Sequence, residues 1–314
     1  MARQGNHGSL PQAGQPASSG RTAVEVGRPG ACTKQASLPR PVRYTPPMRL
    51  KNKTAVVIGA GQSPGEGMGN GRATVLRFAQ EGARVLAVDN RLASAEETAA
   101  MVAQGGAGEC AAFEADVTRE ATLAAAMAEA RRRFGRIDIL HYNVGMSLGG
   151  GDAPLEKITE EAFDRICAVN LRGAVMACKQ VIPVMRAQRA GVILTISSVA
   201  AWEVYPYVSY KATKAAMIAF TQQVAIENAE YGIRANVIMP GLIDTPMAVD
   251  TRARVSGKSR AEVAAARDAK VPLRKRMGTA WDVANAALFL ASDEANFITG
   301  VALPVDGGAL VKIG

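Results

Sequence analysis

Histidine and cysteine are scarce in this sequence, which has two histidines and four cysteines among its 314 residues. The cysteines lack the spacing of metal ligands and are too few for a disulfide scaffold, which argues against a zinc site and against a secreted, disulfide-built fold. Long apolar runs are also missing, since none reaches the roughly 18 residues that a membrane-spanning helix needs. We therefore expect a cytoplasmic protein without a metal centre and without a membrane partner.

Acidic residues are outnumbered, and the net charge of +9 would ordinarily suggest a nucleic-acid partner. Much of the excess lies at the start of the chain, because residues 1–47 contain six Arg and Lys residues against the single acid Glu25. The same segment is rich in Gly, Pro, Ser and Gln and has no hydrophobic period, which is typical of disorder. We predict a disordered basic leader over residues 1–47 and no nucleic-acid partner.

From residue 53 onward, short apolar runs alternate with longer segments of helical periodicity. Strands are predicted at 55–58, 84–89, 109–114, 137–142, 191–197, 233–239 and 301–305. Helices are predicted at 72–81, 92–104, 119–134, 160–188, 210–230 and 281–291. Several strands are apolar throughout, as in sheets buried on both faces. The alternation predicts an α/β fold with a doubly wound parallel sheet of about seven strands and helices on both faces.

Three polar residues after the fifth predicted strand carry the strongest functional signal. Ser198 directly follows that strand, and Tyr210 and Lys214 are four residues apart on the next predicted helix. Side chains at i and i+4 share a helix face, so we expect the Lys214 ammonium to lie beside the Tyr210 hydroxyl and to lower its pKa. Such a tyrosine can exchange a proton near neutral pH, while a nearby serine hydroxyl holds a carbonyl oxygen.

The sequence ISS that ends at Ser198, followed by YKATK from Tyr210 to Lys214, resembles the active site of the short-chain dehydrogenase/reductase family. The resemblance implies that these three residues are catalytic. It also implies that Asn170 is the fourth catalytic residue, which supports a water and the lysine.

Two alternatives to this assignment stay open. Tyr207 and Lys211 form an overlapping Tyr-x-x-x-Lys pair, although this pair lacks the small residues that the family has before the lysine. Ser197 is the alternative serine, and strand-end packing is the simpler interpretation of its role.

A glycine-rich turn between the first strand and the first helix stands where this family binds the pyrophosphate of a nicotinamide cofactor. The favoured register assigns the family's glycine motif to Gly59, Gly69, Asn70 and Gly71. This register makes the loop six residues longer than is usual in the family. The alternative register uses Gly61, Gly65 and Gly67, and it leaves the following helix too long.

Asp89 ends the second predicted strand, where a carboxylate can accept hydrogen bonds from both ribose hydroxyls and would repel a 2′-phosphate. We therefore predict that NAD is preferred over NADP. Arg91 would instead suit a 2′-phosphate, although a solvated charge at a helix start is the simpler interpretation. The resemblance implies further cofactor contacts by Asp116, Val117, Asn143, Gly145, Tyr210, Lys214, Ile243 and Thr245.

The resemblance covers residues 48–314, which implies one NAD(P)-binding Rossmann-fold oxidoreductase domain that assembles as a homotetramer or a homodimer. Members of this family usually begin as the chain does at Met48. We therefore expect Met48 to be the natural start of the protein.

Residues 246–276 stand where the family has a mobile substrate lid, and they contain nine Arg and Lys residues against three acids. A solvated helical face is the simple interpretation, and attraction of an anionic substrate or an acidic carrier is the alternative. Trp202, Tyr205 and Tyr207 stand where the family lines its pocket, which suggests an apolar or ring-shaped small-molecule substrate. Packing is the simpler interpretation of the two tyrosines.

We expect an NAD-dependent oxidoreductase that interconverts a secondary alcohol and a ketone by hydride transfer, with Tyr210 as general acid/base. One alternative is a reductase of the 3-oxoacyl-acyl-carrier-protein type, which the basic lid favours. The other is a non-catalytic nucleotide-binding scaffold, because a fold does not fix a function. The complete set of four catalytic residues argues against the scaffold.

Overall fold

A computed structural model describes residues 48–106 and 108–312 of the chain. Its strands are β1 (Thr54–Ile58), β2 (Arg84–Asp89), β3 (Glu109–Glu114), β4 (Ile139–Tyr142), β5 (Gly191–Ile196), β6 (Ile233–Pro240), β7 (Ile243–Asp244), β8 (Gly278–Thr279) and β9 (Ala302–Val305). Its α-helices are α1 (Asn70–Gln80), α2 (Leu92–Gln104), α3 (Glu120–Phe134), α4 (Glu160–Cys167), α5 (Gly173–Gln188), α6 (Val208–Asn228), α7 (Thr251–Ser256), α8 (Arg260–Asp268) and α9 (Ala280–Ala291). The predicted leader lies outside the described residues.

Seven strands form one parallel sheet in the order β3-β2-β1-β4-β5-β6-β9. The chain moves outward in one direction from β1 to β3 and then returns to β4 on the other side of β1, which makes the sheet doubly wound. The predicted α/β fold with about seven parallel strands is confirmed. The order reverses between β1 and β4, and ligand sites of such sheets lie at this reversal, outside the carboxyl ends of the strands.

The central strand β1 is fully buried because each of its faces contributes to a separate apolar core. Val56 and Ile58 pack in the core that includes side chains of α3 and α5. Ala55 and Val57 face the opposite core, which includes side chains of α1 and α9. Burial of apolar surface stabilises a fold by roughly 25 cal/mol per Å². Because β1 is buried on both faces, the carboxyl end of this strand is held in a fixed position next to the site.

One predicted helix is divided in the structure. The periodic segment 160–188 consists of α4, a π-helical segment (Ala168–Arg172) and α5. Apolar periodicity continues through all three, so it does not reveal the wider turn. Such π segments occur often at functional sites, and this one contains Asn170.

The basic lid segment forms two short helices, α7 and α8, next to a two-stranded parallel sheet of β7 and β8. The α8 helix begins with a capping box, in which the Ser259 hydroxyl accepts the Glu262 backbone N–H at 3.3 Å and a Glu262 carboxylate oxygen accepts the Ser259 N–H at 2.9 Å. The two-residue strands are too short to show a sequence period. Within the described part of the chain, no helix is long and apolar enough to cross a membrane.

Candidate active site

The carboxyl ends of the central strands surround a cavity of about 490 Å³. Fourteen of the fifteen residues predicted for the site line this cavity. The exception is Asn170, which is fully buried behind it. The structure therefore brings the predicted catalytic and cofactor residues together at the edge of the sheet where a doubly wound fold binds ligands.

Tyr210 is positioned by the first turn of α6, which a distant carboxylate caps. The backbone N–H groups of Ser209 and Tyr210 each donate at 3.0 Å to Asp152, which is 5% exposed. The residue before the helix, Tyr207, offers no side-chain cap, so Asp152 satisfies N–H groups that have no partner inside the helix. Ser147 donates to the same carboxylate at 3.0 Å and fixes its orientation.

Lys214 lies one turn further along α6 and is 2% exposed. Its Nζ donates to the Ile196 carbonyl at the end of β5, at 2.8 Å, and lies 5.7 Å from the centroid of the Tyr210 ring. It also lies within 3.5 Å of the Val144 carbonyl oxygen. The ammonium therefore sits between the ends of β4 and β5, beside Tyr210, and it has three donors to distribute.

The serine alternatives differ in what their hydroxyls contact. Ser197 is 1% exposed, and its hydroxyl donates to the Lys214 carbonyl oxygen at 2.6 Å, which ties β5 to α6. Ser198 accepts the Ala200 N–H at 3.1 Å, and its hydroxyl lies close enough to Tyr210 to lower the pKa of that residue. The geometry favours Ser198 as the serine that faces a substrate and Ser197 as a packing residue.

The overlapping pair Tyr207 and Lys211 is directed away from the cavity. Lys211 Nζ donates to the carbonyl oxygens of Ala200 at 3.1 Å and of Glu203 at 2.6 Å, and it thereby anchors the segment that follows β5. The Tyr207 ring packs edge-on against Tyr205, with ring centroids 5.6 Å apart. This pair therefore has a structural role in the described chain.

The titration of Tyr210 differs from the prediction made above. Burial, and then the neighbouring Tyr205, raise the pKa of Tyr210 to about 12, while Ser198 and Arg252 act in the opposite direction. Burial lowers the pKa of Lys214 to about 8. The lowered Tyr210 pKa that the sequence predicted is not found, because burial outweighs the charge of Lys214, and the same apolar surroundings disfavour the charged forms of both side chains.

Asn170 holds the loop after β4 against α6. Its side-chain oxygen accepts the Met146 N–H at 2.8 Å, and its amide nitrogen donates to the Met146 carbonyl at 3.0 Å and to the Thr213 hydroxyl at 3.1 Å. Thr213 is the residue before Lys214. The side chain of Asn170 therefore supports the lysine from behind the cavity rather than from within it.

The glycine-rich turn approaches the strand ends so closely that side chains would not fit. A Cβ atom at Gly71 would overlap the Gly59 carbonyl oxygen and lie 2.6 Å from the Asn143 amide nitrogen. The α1 helix begins at Asn70, directly after Gly69, whereas Gly65 and Gly67 are exposed and do not line the cavity. The geometry favours the register that includes Gly59 and Gly69–Gly71.

This turn is suited to a pyrophosphate. The first residues of α1, Asn70 and Gly71, line the cavity, and the N-terminus of a helix carries a partial positive charge. In the described chain, the buried Oδ1 atom of Asn70 has no hydrogen-bond partner, and an amide of this kind can turn either end toward a ligand. These residues fit the nicotinamide cofactor that the fold implies.

The lengthened loop is fixed by hydrogen bonds within itself and to the lid. Gln62 donates to the Gly67 carbonyl at 3.1 Å and accepts the Gly69 N–H at 2.9 Å. The Glu66 N–H donates to Asp250 of the lid segment at 3.1 Å. The additional residues therefore form an ordered cover that contacts the lid.

Asp89 lies at the end of β2 and lines the cavity. Its carboxylate accepts the backbone N–H groups of Gly61 at 2.9 Å and of Arg91 at 3.1 Å. The Arg91 guanidinium donates to the carbonyl oxygen of Gln62. The Arg91 side chain is exposed at the start of α2, as the simpler interpretation predicted, and it also binds the glycine-rich loop beside Asp89.

The remaining predicted cofactor residues are at the ends of neighbouring strands. Asn143 donates to the Gly59 carbonyl at 3.1 Å, and Asp116 accepts the Thr118 N–H at 2.9 Å. A Cβ atom at Gly145 would lie 3.0 Å from Lys214 Nζ, so this glycine leaves space for the lysine. The others that line the cavity are Val117, Ile243 and Thr245.

The aromatic residues between Ser198 and Tyr210 do not act as one wall. Tyr205 lines the cavity, and its ring centroid is 5.4 Å from that of Tyr210. Trp202 is 55% exposed and, like Tyr207, is not part of the lining. The expectation that all three aromatic residues line the pocket is therefore wrong for two of them, because Trp202 faces solvent and Tyr207 packs against Tyr205.

Sequence reasoning missed several residues of the site. Asp152 is one of them, and the lack of a capping side chain before α6 was the signal for it. Two lid arginines, Arg252 and Arg267, were counted in the basic segment but not assigned to the cavity, which they line. Arg252 belongs to a six-residue helix that is too short to show a period. Arg267 stands four residues after the buried Val263 on one face of α8, and that spacing was the available signal.

Comparisons with known proteins agree with this arrangement. A sequence model of the family described as Enoyl-(Acyl carrier protein) reductase matches residues 65–309. The chain is 37% identical over 257 residues to 2-(R)-hydroxypropyl-CoM dehydrogenase of Xanthobacter autotrophicus, which covers 82% of this chain and 98% of that protein. It is 36% identical over 269 residues to 3-oxoacyl-acyl-carrier-protein reductase FabG of Thermotoga maritima, covering 84% of this chain and 100% of that protein.

A solved structure of a short-chain dehydrogenase/reductase from Burkholderia xenovorans has a TM-score of 0.79 to this chain at 41% identity. The match covers 85% of this chain and 99% of that one. The relatives thus match along nearly their whole length, and the family implies a nicotinamide cofactor. The chain belongs to the short-chain dehydrogenase/reductase family and is an oxidoreductase.

Proposed function

We propose that this oxidoreductase interconverts a secondary alcohol and a ketone, that it prefers NAD to NADP, and that Tyr210 is its general acid/base. The observation that carries the proposal is the convergence of Ser198, Tyr210 and Lys214 on one cavity that also contains the glycine-rich turn. When bound, the nicotinamide supplies or accepts the hydride.

In ketone reduction, the Tyr210 O–H bond breaks and its proton goes to the substrate oxygen as the carbonyl carbon receives the hydride. The raised pKa of Tyr210, about 12 because of burial and then Tyr205, keeps this proton available at neutral pH. Ser198 donates a hydrogen bond to the substrate oxygen and sets its distance from Tyr210. In alcohol oxidation, the same oxygen of Tyr210 takes the proton from the alcohol.

Lys214 has two tasks in this proposal. Its ammonium, held by the Ile196 carbonyl at 2.8 Å, stabilises the negative charge that develops on Tyr210 when the proton leaves. Its remaining donors would hold the nicotinamide ribose hydroxyls. Asn170 is a positioning residue, because it contacts Met146 and Thr213 and keeps Lys214 at the end of β5.

The preference for NAD rests on Asp89. Its carboxylate lines the cavity at the end of β2, where ribose hydroxyls would donate to it and a 2′-phosphate would be repelled. The other cofactor residues in this proposal are Gly59, Gly69, Asn70, Gly71, Asp116, Val117, Asn143, Gly145, Ile243 and Thr245.

The test is a substrate panel followed by NADH absorbance, with secondary alcohols, sugars, steroids and 3-oxoacyl esters offered to the full chain. Turnover of at least one secondary alcohol or ketone, lost in Tyr210→Phe, is the expected result. Turnover that survives in Tyr210→Phe would contradict the assigned mechanism. Specific binding of NADH without turnover of any compound would favour the non-catalytic scaffold.

A second candidate is a reductase of 3-oxoacyl groups on an acyl carrier protein. It is favoured by the basic lid, in which Arg254, Lys258 and Arg274–Arg276 are exposed, and by the similarity to the Thermotoga maritima reductase. An acidic carrier protein would be attracted to such a surface. Preference for NADPH together with activity on acyl thioesters would distinguish this function from the first.

We also propose that the protein acts in the cytoplasm as a homotetramer or a homodimer, as the family resemblance implies. Light scattering of the purified chain tests the assembly, and a monomer would contradict this part of the proposal without affecting the reaction.

A further inference from the structure

Most of the basic residues in the lid face solvent, but three arginines do not. Arg252, Arg260 and Arg267 are partly buried, whereas the other six Arg and Lys residues of segment 246–276 are exposed. Arg260 is neutralised, because it lies 2.6 Å from an Asp244 oxygen and 3.4 Å from an Asp250 oxygen. Arg252 and Arg267 line the cavity and have no carboxylate within 4.0 Å in the described part of the chain.

Arg252 lies next to the reacting end of the cavity. One of its Nη atoms donates to the Ala248 carbonyl at 2.9 Å, and the other lies 3.5 Å from the Tyr205 hydroxyl. The Tyr205 ring is in turn 5.4 Å from the Tyr210 ring, centroid to centroid. A single aromatic side chain therefore separates the Arg252 guanidinium from the proposed proton donor.

Arg267 approaches the same region from the second lid helix, α8. Its Nε atom lies 3.3 Å from the Met277 sulfur, a weak acceptor, and the carboxylates of Asp244 and Asp268 act on the guanidinium only at longer range, without an ion pair. Burial, and then the positive charge of Arg252, lower the pKa of Arg267 to about 10. Two guanidinium groups thus share a partly desolvated space, which is unfavourable unless an anion lies between them.

The geometry points to an anion subsite formed by Arg252 and Arg267 at the lid end of the cavity. We propose that the substrate is a small ketone or secondary alcohol that also carries a carboxylate, sulfonate or phosphate. The inference rests on the proposed reaction, because it defines the far end of the molecule whose carbonyl oxygen meets Ser198 and Tyr210. Planar guanidinium groups bind such anions with paired, charge-assisted hydrogen bonds.

The position of the two arginines distinguishes a small molecule from a carrier protein. An acidic carrier would contact the exposed lid residues, which include Arg274 and Lys275, from outside the cavity. Arg252 and Arg267 instead line the same cavity as Tyr210. We therefore place the anion on the reacting molecule itself and not on a carrier protein.

The test compares ketones that differ mainly in charge: 4-oxopentanoate, its methyl ester, 2-hexanone and 3-oxobutane-1-sulfonate, each with NADH and the full chain. We expect kcat/KM for the two anions to exceed that for the ester by about 10- to 100-fold, which is the typical worth of a charge-assisted hydrogen bond. The ratio of acid to ester should fall toward one in Arg252→Gln and in Arg267→Gln, mainly through KM. Arg252→Lys, which keeps the charge, should retain part of the preference.

The matched control is Arg254→Gln, which removes an exposed arginine from the same helix as Arg252 and should keep the wild-type ratio. Turnover of the ester and of 2-hexanone without any preference for the anions would overturn the subsite and leave the proposed reaction standing. If acyl thioesters on a carrier protein are reduced, and Arg274→Gln slows them while Arg252→Gln does not, the carrier explanation replaces this one.

Binding provides a second readout that does not depend on turnover. In calorimetric titrations of the NADH complex, 4-oxopentanoate should bind more tightly than its ester, and Arg267→Gln should remove the difference. This result without turnover of any ketone would keep the subsite and contradict the proposed reaction. Equal binding of acid and ester by the folded wild-type protein would overturn the subsite.

Discussion

The carboxylate of Asp152 accepts the backbone N–H of Tyr210 at 3.0 Å, so a residue in the loop after β4 sets the start of the helix that carries the proposed acid/base. The same carboxylate accepts the N–H of Ser209 and the hydroxyl of Ser147. The position of the tyrosine in the cavity thus depends on a buried polar contact 58 residues away in the sequence. Such networks are costly to break because each partner is left unsatisfied in a buried place.

The first prediction concerns this contact. Asp152→Ala should lower the free energy of unfolding by about 1–3 kcal/mol, since buried N–H groups lose a charged acceptor. It should also lower kcat, because the first turn of α6 is no longer fixed. Chemical denaturation and steady-state kinetics measure the two effects, and Asp164→Ala, which removes an exposed carboxylate, is the matched control. Unchanged stability would mean that water replaces the carboxylate.

The second prediction tests the proton donor. Tyr210→Phe should lower kcat by about 10²- to 10⁴-fold, the usual contribution of general acid–base catalysis, with little change in the Kd of NADH. Tyr207→Phe removes the hydroxyl of the overlapping motif, which lies outside the cavity lining, and should retain most of the activity. If Tyr207→Phe abolished turnover and Tyr210→Phe did not, the assignment of the catalytic pair would be reversed.

The third prediction separates the two lysines. Lys214→Met should lower kcat and also weaken NADH binding, because its ammonium is proposed to serve both Tyr210 and the nicotinamide ribose. Lys211→Met should chiefly affect stability, because Lys211 donates to the carbonyl oxygens of Ala200 and Glu203. Fluorescence titration of NADH and thermal unfolding distinguish the outcomes. A larger loss of NADH affinity in Lys211→Met would contradict the assignment.

Local sequence pattern was enough to predict the sheet. β2 and β3 have the bounds predicted for them. β2 is a short apolar run, whereas β3 is rich in Glu and Ala and follows instead from the regular alternation of strands and helices along the chain. The π-helical segment Ala168–Arg172 was not foreseen, because a widened turn leaves the apolar spacing of the surrounding helix almost unchanged. The strands β7 and β8 could not be predicted either, because a segment of two residues is too short to show the alternation of apolar and polar residues.

The site was predictable where chemistry and spacing are local, as for Tyr210 and Lys214 on one helix face. It was not predictable where the partner is distant in sequence, as for Asp152, or where identical residue types differ only in burial, as for Arg252 and Arg254. The pKa of Tyr210 was likewise not predictable, because it depends on burial. The charge of a nearby lysine can be read from spacing, but the burial that outweighs it depends on the assembled fold.

The fourth prediction concerns pH. The reaction releases one proton in the direction of oxidation, so the ratio of kcat/KM for oxidation to that for reduction must rise tenfold per pH unit. Burial and Tyr205 raise the pKa of Tyr210 to about 12, so this residue is protonated at every pH between about 6 and 9. We therefore expect kcat/KM for ketone reduction to be independent of pH in this range. We expect kcat/KM for alcohol oxidation to rise by about tenfold per pH unit.

Initial rates of oxidation and of reduction, measured between about pH 6 and 9, give the pH dependence of kcat/KM in each direction. Burial lowers the pKa of Lys214 to about 8, so the loss of its charge above that pH would bend both profiles together. A fall in ketone reduction that begins near pH 7, with oxidation level above it, would mean that the tyrosine titrates near neutrality. That result would support the expectation from the sequence that Lys214 lowers the pKa of Tyr210 to near neutral pH.

The fifth prediction concerns the choice of cofactor, which depends on Asp89. The wild-type chain should bind NADH more tightly than NADPH in fluorescence titrations, because the carboxylate accepts ribose hydroxyls and repels a 2′-phosphate. Asp89→Asn keeps the size of the side chain and removes its charge. It should weaken NADH binding by about 10-fold or more and reduce the difference in Kd between NADH and NADPH.

Arg91→Gln is the companion variant, because Arg91 lies beside the carboxylate and lines the cavity. Tighter binding of NADPH by the wild type, lost in Arg91→Gln, would show that the arginine rather than the aspartate decides the cofactor.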